Sequence, residues 1–167
     1  SETVKQFIKD IKINDLHQHP LTLTFAVGGA GAQRNIAIDI LNSLKKKILR
    51  EEIKLNLVAG TRNDVYNFFK KHIAKSGLNK AFDRNLKIVF ALHKEDYFKE
   101  LNKELRTTDI LWTKPSEMVF YSALGLPIIM APSLGSQEQF NRLWLKTIGA
   151  GISQNNPKLT HEWLFDW

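Results

Sequence analysis

The sequence predicts an α/β fold, a doubly wound parallel sheet of about six strands with helices on both faces, in a single domain over residues 1–167. Three observations predict it. Apolar runs of four to eight residues alternate with longer stretches of helical period, as strands joined by crossover helices do. The connections between them are short, which favours right-handed crossovers and a sheet wound in both directions. The first run, "LTLTFAVGGAGAQ" from Leu21 to Gln33, ends in three glycines within four residues and leads into a helical pattern.

The predicted strands are Leu21 to Val27, Lys54 to Ala59, Leu86 to Ala91, Asp109 to Thr113 and Pro127 to Ala131, with a short sixth at Gly151 to Ser153. A short helix near Glu2 to Ile11 precedes them. The others are predicted at Gln33 to Leu49, Arg62 to Ser76, Lys94 to Arg106, Ser116 to Leu124 and Gln137 to Ile148, with Leu159 to Trp167 as a last partial helix. Ile36, Ile40, Leu41, Leu44 and Ile48 recur at helical spacing, so the first long helix turns one face to the sheet and its lysines outward. Gly77 and Gly125 follow helices where a left-handed C-terminal cap stands.

Composition limits the function. With 43% hydrophobic and 25% charged residues, 167 residues suit one domain with a core and are too few for two of ordinary size. There is no cysteine, which removes disulfides, thiolate metal sites and a cysteine nucleophile, and suits a reducing compartment. No apolar run approaches the roughly 18 to 20 residues of a membrane span, and the N-terminus lacks the order of a signal peptide, so a cytoplasmic chain is expected. The net charge of +7 points to an anionic partner, although Lys45-Lys46-Lys47 and Lys70-Lys71 also read as solvated helix faces. No basic strand interleaved with aromatics occurs, so nucleic acid is not expected; an anionic membrane surface or anionic substrate fits better.

In doubly wound sheets ligands bind at the carboxyl ends of the strands. Gly28-Gly29-Ala30-Gly31 opens a helix, where free N–H groups and the helix dipole favour an anion; tight packing of the turn explains the same glycines. It is neither a Gly-x-Gly-x-x-Gly nor a P-loop pattern. Trp112-Thr-Lys-Pro-Ser-Glu117 places Lys114, Ser116 and Glu117 after the fourth strand, as ligand contacts or as an ordinary capped helix start. The loop after the fifth strand gathers Ser136, Gln137, Glu138 and Asn141, the amide and carboxylate groups that sugar hydroxyls need, since each hydroxyl donates and accepts. His93 follows the third strand as polar lining of the same edge. His17 and His19 share one side of an extended segment but lack a further ligand nearby, so no metal is expected. Trp112, Trp144, Trp163 and Trp167 read as core or as a surface for another domain.

Taken in order, "FAVGGAGAQ", "GLPIIMAP" and "GSQEQFN" resemble the C-terminal, donor-binding domain of GT-B glycosyltransferases. The likeness is to the peptidoglycan N-acetylglucosaminyltransferase that makes lipid II and to the diacylglycerol glycosyltransferases, over about Leu21 to Gly151. The resemblance implies transfer of a sugar from a nucleotide diphosphate sugar, usually a uridine one, without a further cofactor. It implies an acceptor held by an N-terminal domain that this chain lacks, and a place at the inner membrane face. Gly28, Gly29 and Gly31 then line the diphosphate or the cleft, Lys114 is the cationic phosphate contact, and Gln137, Glu138 and Asn141 meet the donor sugar. The base lies against backbone near Ala91 to His93. One departure stands out: where the family carries a ribose-binding glutamate, five residues before Gly-Leu-Pro, this chain has Phe120, with Glu117 one helical turn earlier. The chain is expected to be half of a two-domain enzyme, with any general base on the other half. The alternatives are half of a sugar-nucleotide epimerase and a non-catalytic sugar-nucleotide or partner-binding module.

Overall fold

A computed structural model describes residues 19–26, 33–114, 118–133 and 136–166, with the backbone alone at 118–120 and 137. The strands are Leu21–Ala26 (β1), Ile53–Gly60 (β2), Leu86–Phe90 (β3), Ile110–Thr113 (β4), Ile128–Met130 (β5) and Gly151–Ser153 (β6). They form one parallel sheet in the order β3-β2-β1-β4-β5-β6. The helices are Arg34–Ser43 (α1), Lys45–Leu49 (α2), Asn63–Lys75 (α3), Lys94–Leu105 (α4), Met118–Ala123 (α5), Ser136–Thr147 (α6) and Thr160–Trp163 (α7).

Period two explains how the central strand sits. Leu23 and Phe25 of β1 face one layer, with Ala37, Ile40 and Leu41 of α1, Ile48 of α2 and Phe69 and Ile73 of α3. Leu164, just after α7, joins that layer, where Trp112 meets Phe25 edge to face with ring centroids 6.1 Å apart. The opposite layer holds Leu101 and Leu105 of α4, Tyr121 of α5 and Leu145 of α6 against Val89, Leu111, Ile128 and Met130. Helices on both faces, with the winding reversing between β1 and β4, make the fold doubly wound and Rossmann-like.

On the second face β1 presents threonines, and these are paired in a buried polar chain. Asn56 Nδ2 donates to Thr24 Oγ1 at 3.1 Å, Thr24 and Thr108 share a 2.7 Å hydroxyl contact, and Thr108 donates to the Glu104 carbonyl at 2.8 Å. Beside them the buried Glu104 carboxylate accepts from Lys54 at 2.9 Å and from Lys87 at 2.8 Å. The chain and ion cluster pin α4 to β1, β2 and β3 by specific contacts where an all-apolar face would allow sliding.

Element ends differ from the sequence reading by a residue or two. Asp109 falls outside β4 because its carboxylate accepts the Thr22 N–H at 2.7 Å, capping the sheet's entry. The long first helix divides at Leu44, and short 3-10 turns occur at Asn79–Ala81 and Pro157–Leu159. The last helix is one turn long, and the helix expected at Glu2 to Ile11 lies outside the described residues. Gly77 and Gly125 have φ of +69° and +73°, the left-handed caps expected. Among the described residues no helix is long and apolar enough to cross a membrane.

Candidate functional site

The crevice of a doubly wound sheet opens where neighbouring strands lead their chains to opposite faces, here between the carboxyl ends of β1 and β4. Side chains and backbone fasten those ends together. Ala26 pairs with Thr113, whose hydroxyl donates to the Ala26 carbonyl at 2.8 Å, and the Ala131 N–H donates to the Thr113 carbonyl at 2.9 Å. The ends of β1, β4 and β5 thus form a continuous floor.

One contact crosses above that floor. Gln33, at the start of α1, donates through Nε2 to the Pro132 carbonyl, after β5, at 3.1 Å. It ties the start of α1 to the backbone just after β5. Gln33 Oε1 and Ser133 Oγ are both buried without a hydrogen-bond partner among the described residues. Gln33 does not cap α1 with its side chain, although its carbonyl accepts the Ile36 N–H at 3.0 Å. The Gln33 oxygen needs a donor and the Ser133 hydroxyl can donate or accept, which suits a ligand bearing hydroxyl groups, while the start of α1 favours negative charge.

Cations surround the entrance unequally. Arg62 donates to both oxygens of Asp64, at 3.0 and 2.9 Å, and those hydrogen bonds hold the Asp64 carboxyl below its ordinary range. Arg34, the first residue of α1, turns to the same Asp64 at 3.6 Å and lies over the Phe68 ring at 4.4 Å, so its charge is drawn to α3. Lys114 is half-buried directly after β4 and has no ion-pair partner among the described residues.

Of the residues singled out in the sequence, Glu138 and Asn141 are half-buried in the first two turns of α6, beyond the Pro132 loop that Gln33 holds. Gln137 lies in the same first turn, its side chain undescribed. His93 is exposed ahead of α4 and stands at the edge strand β3, two strands from β1. Gly28, Gly29, Gly31, Ser116 and Glu117 lie outside the described residues, as does His17, and the Phe120 side chain is undescribed. His19 is exposed 3.7 Å from Asp109, an acid distant in sequence. Among the described residues no group of three or more His, Asp or Glu gathers as a metal would require. Gln33 and Ser133 were missed, although the signal was available: both are polar side chains on strand-end loops, the criterion that selects Gln137.

The tryptophans divide. Trp112 is fully buried and donates from Nε1 to Gln154 Oε1 at 3.0 Å, and Trp163 packs on it at 5.4 Å. Trp144 is 43% exposed, in an apolar stripe with Phe140 and Leu143 on the outer side of α6; Trp167 lies outside the described residues.

Fold and crevice define the class, an α/β domain of Rossmann type with a polar opening at its switch point. The chain belongs to the family described as a domain of unknown function (DUF6938), which matches residues 9–161 and so takes in all six strands. No curated protein matches it.

Proposed function

We propose that the domain binds a nucleotide diphosphate sugar at the carboxyl ends of β1, β4 and β5, as the donor half of a GT-B type glycosyltransferase. The observation that supports the reading is the Gln33 to Pro132 hydrogen bond, which joins the start of α1 to the backbone after β5 across the switch point. A diphosphate suits the first, and sugar hydroxyls suit the amide and carboxylate groups that follow the second.

In this reading the diphosphate lies against the turn of Gly28, Gly29 and Gly31 and the start of α1, with Lys114 supplying positive charge. Gln137, Glu138 and Asn141 receive the sugar, and Glu117 and Ser116 the ribose side. Transfer breaks the bond between the anomeric carbon and the diphosphate oxygen as an acceptor oxygen bonds to that carbon. The acceptor's proton passes to a base on the partner domain, and the nucleoside diphosphate leaves with the bonding electrons. Fixed N–H groups and Lys114 stabilise the charge that develops on the leaving oxygen. Donor and acceptor must be held in line from both sides of a cleft, so this domain alone binds weakly and does not turn over.

Calorimetry with uridine diphosphate and a panel of uridine diphosphate sugars tests the assignment. Gln137→Ala and Glu138→Ala each weaken binding of the matching sugar nucleotide by roughly five- to a hundredfold, the loss of about 1 to 3 kcal/mol, and leave the bare nucleotide nearly unchanged. Equal weakening of both moves these residues to the phosphate or ribose. Absence of any nucleotide-sugar binding by a folded two-domain protein overturns the reading.

A further inference from the structure

A concentration of positive charge lies away from the crevice. A groove of about 670 Å³ lies between the end of α1, the first residues of α2 and the segment that holds Lys158 and His161, and Lys45, Lys46, Lys47, Arg50 and Lys158 line it. Asp39 and Glu52 are the only acids in its lining. Since α1 starts from the carboxyl end of β1 and Ile53 begins β2, this groove lies at the opposite end of the sheet, where strands start.

Its walls are preformed. Ser43 Oγ accepts the His161 N–H at 3.0 Å and meets His161 Nδ1 at 2.9 Å, which ties α1 to α7. Some of the charge is committed. Lys47 lies 3.4 Å from Glu52 and 4.1 Å from the Phe165 ring centroid, and Arg50 is 3.7 Å from the same Glu52. Lys45 reaches toward Gly77, at the C-terminal end of α3, where a cation offsets the helix dipole. Lys46 and Lys158 are exposed and have no ion-pair partner among the described residues. Exposed apolar residues neighbour the groove's cations: Leu49 and Leu159 are next in sequence to Arg50 and Lys158, and the Phe165 ring touches Lys47.

Holding five cations beside two acids in a fixed concave surface costs repulsion that a core does not require, and a multiply charged anion offsets it. We infer that this groove is a second ligand site, at which Lys46 and Lys158 bind a phosphate-bearing anion. The source of the phosphate is an anionic lipid headgroup or a soluble polyphosphate, and the adjoining Leu49, Leu159 and Phe165 suit the interfacial case. The inference is independent of what the strand ends bind.

Two probes distinguish the sources: phosphatidylcholine vesicles with and without phosphatidylglycerol, by sedimentation, and inositol hexakisphosphate, by calorimetry. The chain binds at least one of them, and salt weakens the binding. Each lysine near an anionic surface contributes about fivefold, so the pair Lys46→Glu and Lys158→Glu weakens binding at least about 25-fold. The pair Lys70→Glu and Lys71→Glu makes the same change of net charge on exposed positions of α3 and leaves binding within about threefold. Vesicle binding alone assigns a lipid, and binding of the soluble probe alone assigns a free polyphosphate. Binding of neither, or equal weakening by both pairs, overturns the site. Amide shifts of the wild-type chain titrated with the soluble probe keep the test open if a variant misfolds: shifts at residues 39–50 and 158–161 support it, and shifts confined elsewhere refute it.

Discussion

Glu104 is 4% exposed, and two lysines decide what it does for stability. Burial raises its pKa, but hydrogen bonds from Lys87 and Lys54 outweigh it and hold the carboxyl below its ordinary range. For Lys87 burial pulls the pKa down, and the bonds to Glu104 and Glu100 carry it above its ordinary value. A carboxylate depressed in the folded state stabilises above its unfolded pKa of about 4.3 and loses that contribution as pH falls through the folded value. A raised lysine stabilises fully below its unfolded pKa of about 10.4 and loses it as pH rises through the folded value. Urea midpoints therefore form a plateau between roughly pH 5 and pH 10 with a fall on either side. Glu104→Gln lowers stability by about 2 to 3 kcal/mol at pH 7 and flattens the acid limb. An unchanged midpoint would show that the cluster contributes nothing net. None of this was legible in the sequence, because Lys54, Lys87 and Glu104 come from three separate elements and meet only across the sheet. The tryptophans make the same point: four similar letters, of which only the fold separates Trp112 from Trp144. Trp112→Ala costs about 3 to 5 kcal/mol and Trp144→Ala less than about 0.5, read by thermal or urea unfolding.

At the level of elements, local chemistry carried most of the information. Gly77 was legible because the helix before it ends in a six-to-one bond, Leu78 N–H to Ile73 carbonyl at 3.0 Å, which requires a left-handed residue between them. The same signal was read at Gly125. The break at Leu44 was not, because the bonds Leu44 to Ile40 and Ile48 to Leu44, each 2.9 Å, keep the apolar spacing running through it. Gly151 carries information that sequence alone does not: a Cβ there would stand 2.8 Å from the Ile128 carbonyl oxygen, on the backbone of the neighbouring strand. Gly151→Ala therefore displaces β6 and costs about 1 to 3 kcal/mol, whereas an alanine at Gly77, which meets no backbone, costs about 1 kcal/mol through its positive φ alone. Paired urea titrations of the two variants check the ordering, and a Gly151 variant as stable as wild type contradicts the packing of β6 on β5.

For the molecule as a whole, the alternation of apolar runs with helical stretches was enough for a six-stranded doubly wound sheet, since short connections leave few other arrangements. The crevice was legible as a place, at the strand ends, and less so as a set of atoms. Its side-chain geometry depends on which loops meet, and the Gln33 to Pro132 contact joins positions 99 residues apart. The run Lys45-Lys46-Lys47 was legible as a basic helix face, while the groove that it forms with Arg50 and Lys158 appears only in the fold. The most direct test of the central claim follows amide shifts of the 167-residue chain during titration with a uridine diphosphate sugar. The account predicts saturable shifts at Gln33, Lys114, Ser133 and Glu138 that change with the identity of the sugar, whereas any shift at residues 39–50 and 158–161 is the same with bare uridine diphosphate. Saturation at those basic residues with a silent crevice, or no shift with any nucleotide sugar, would contradict it.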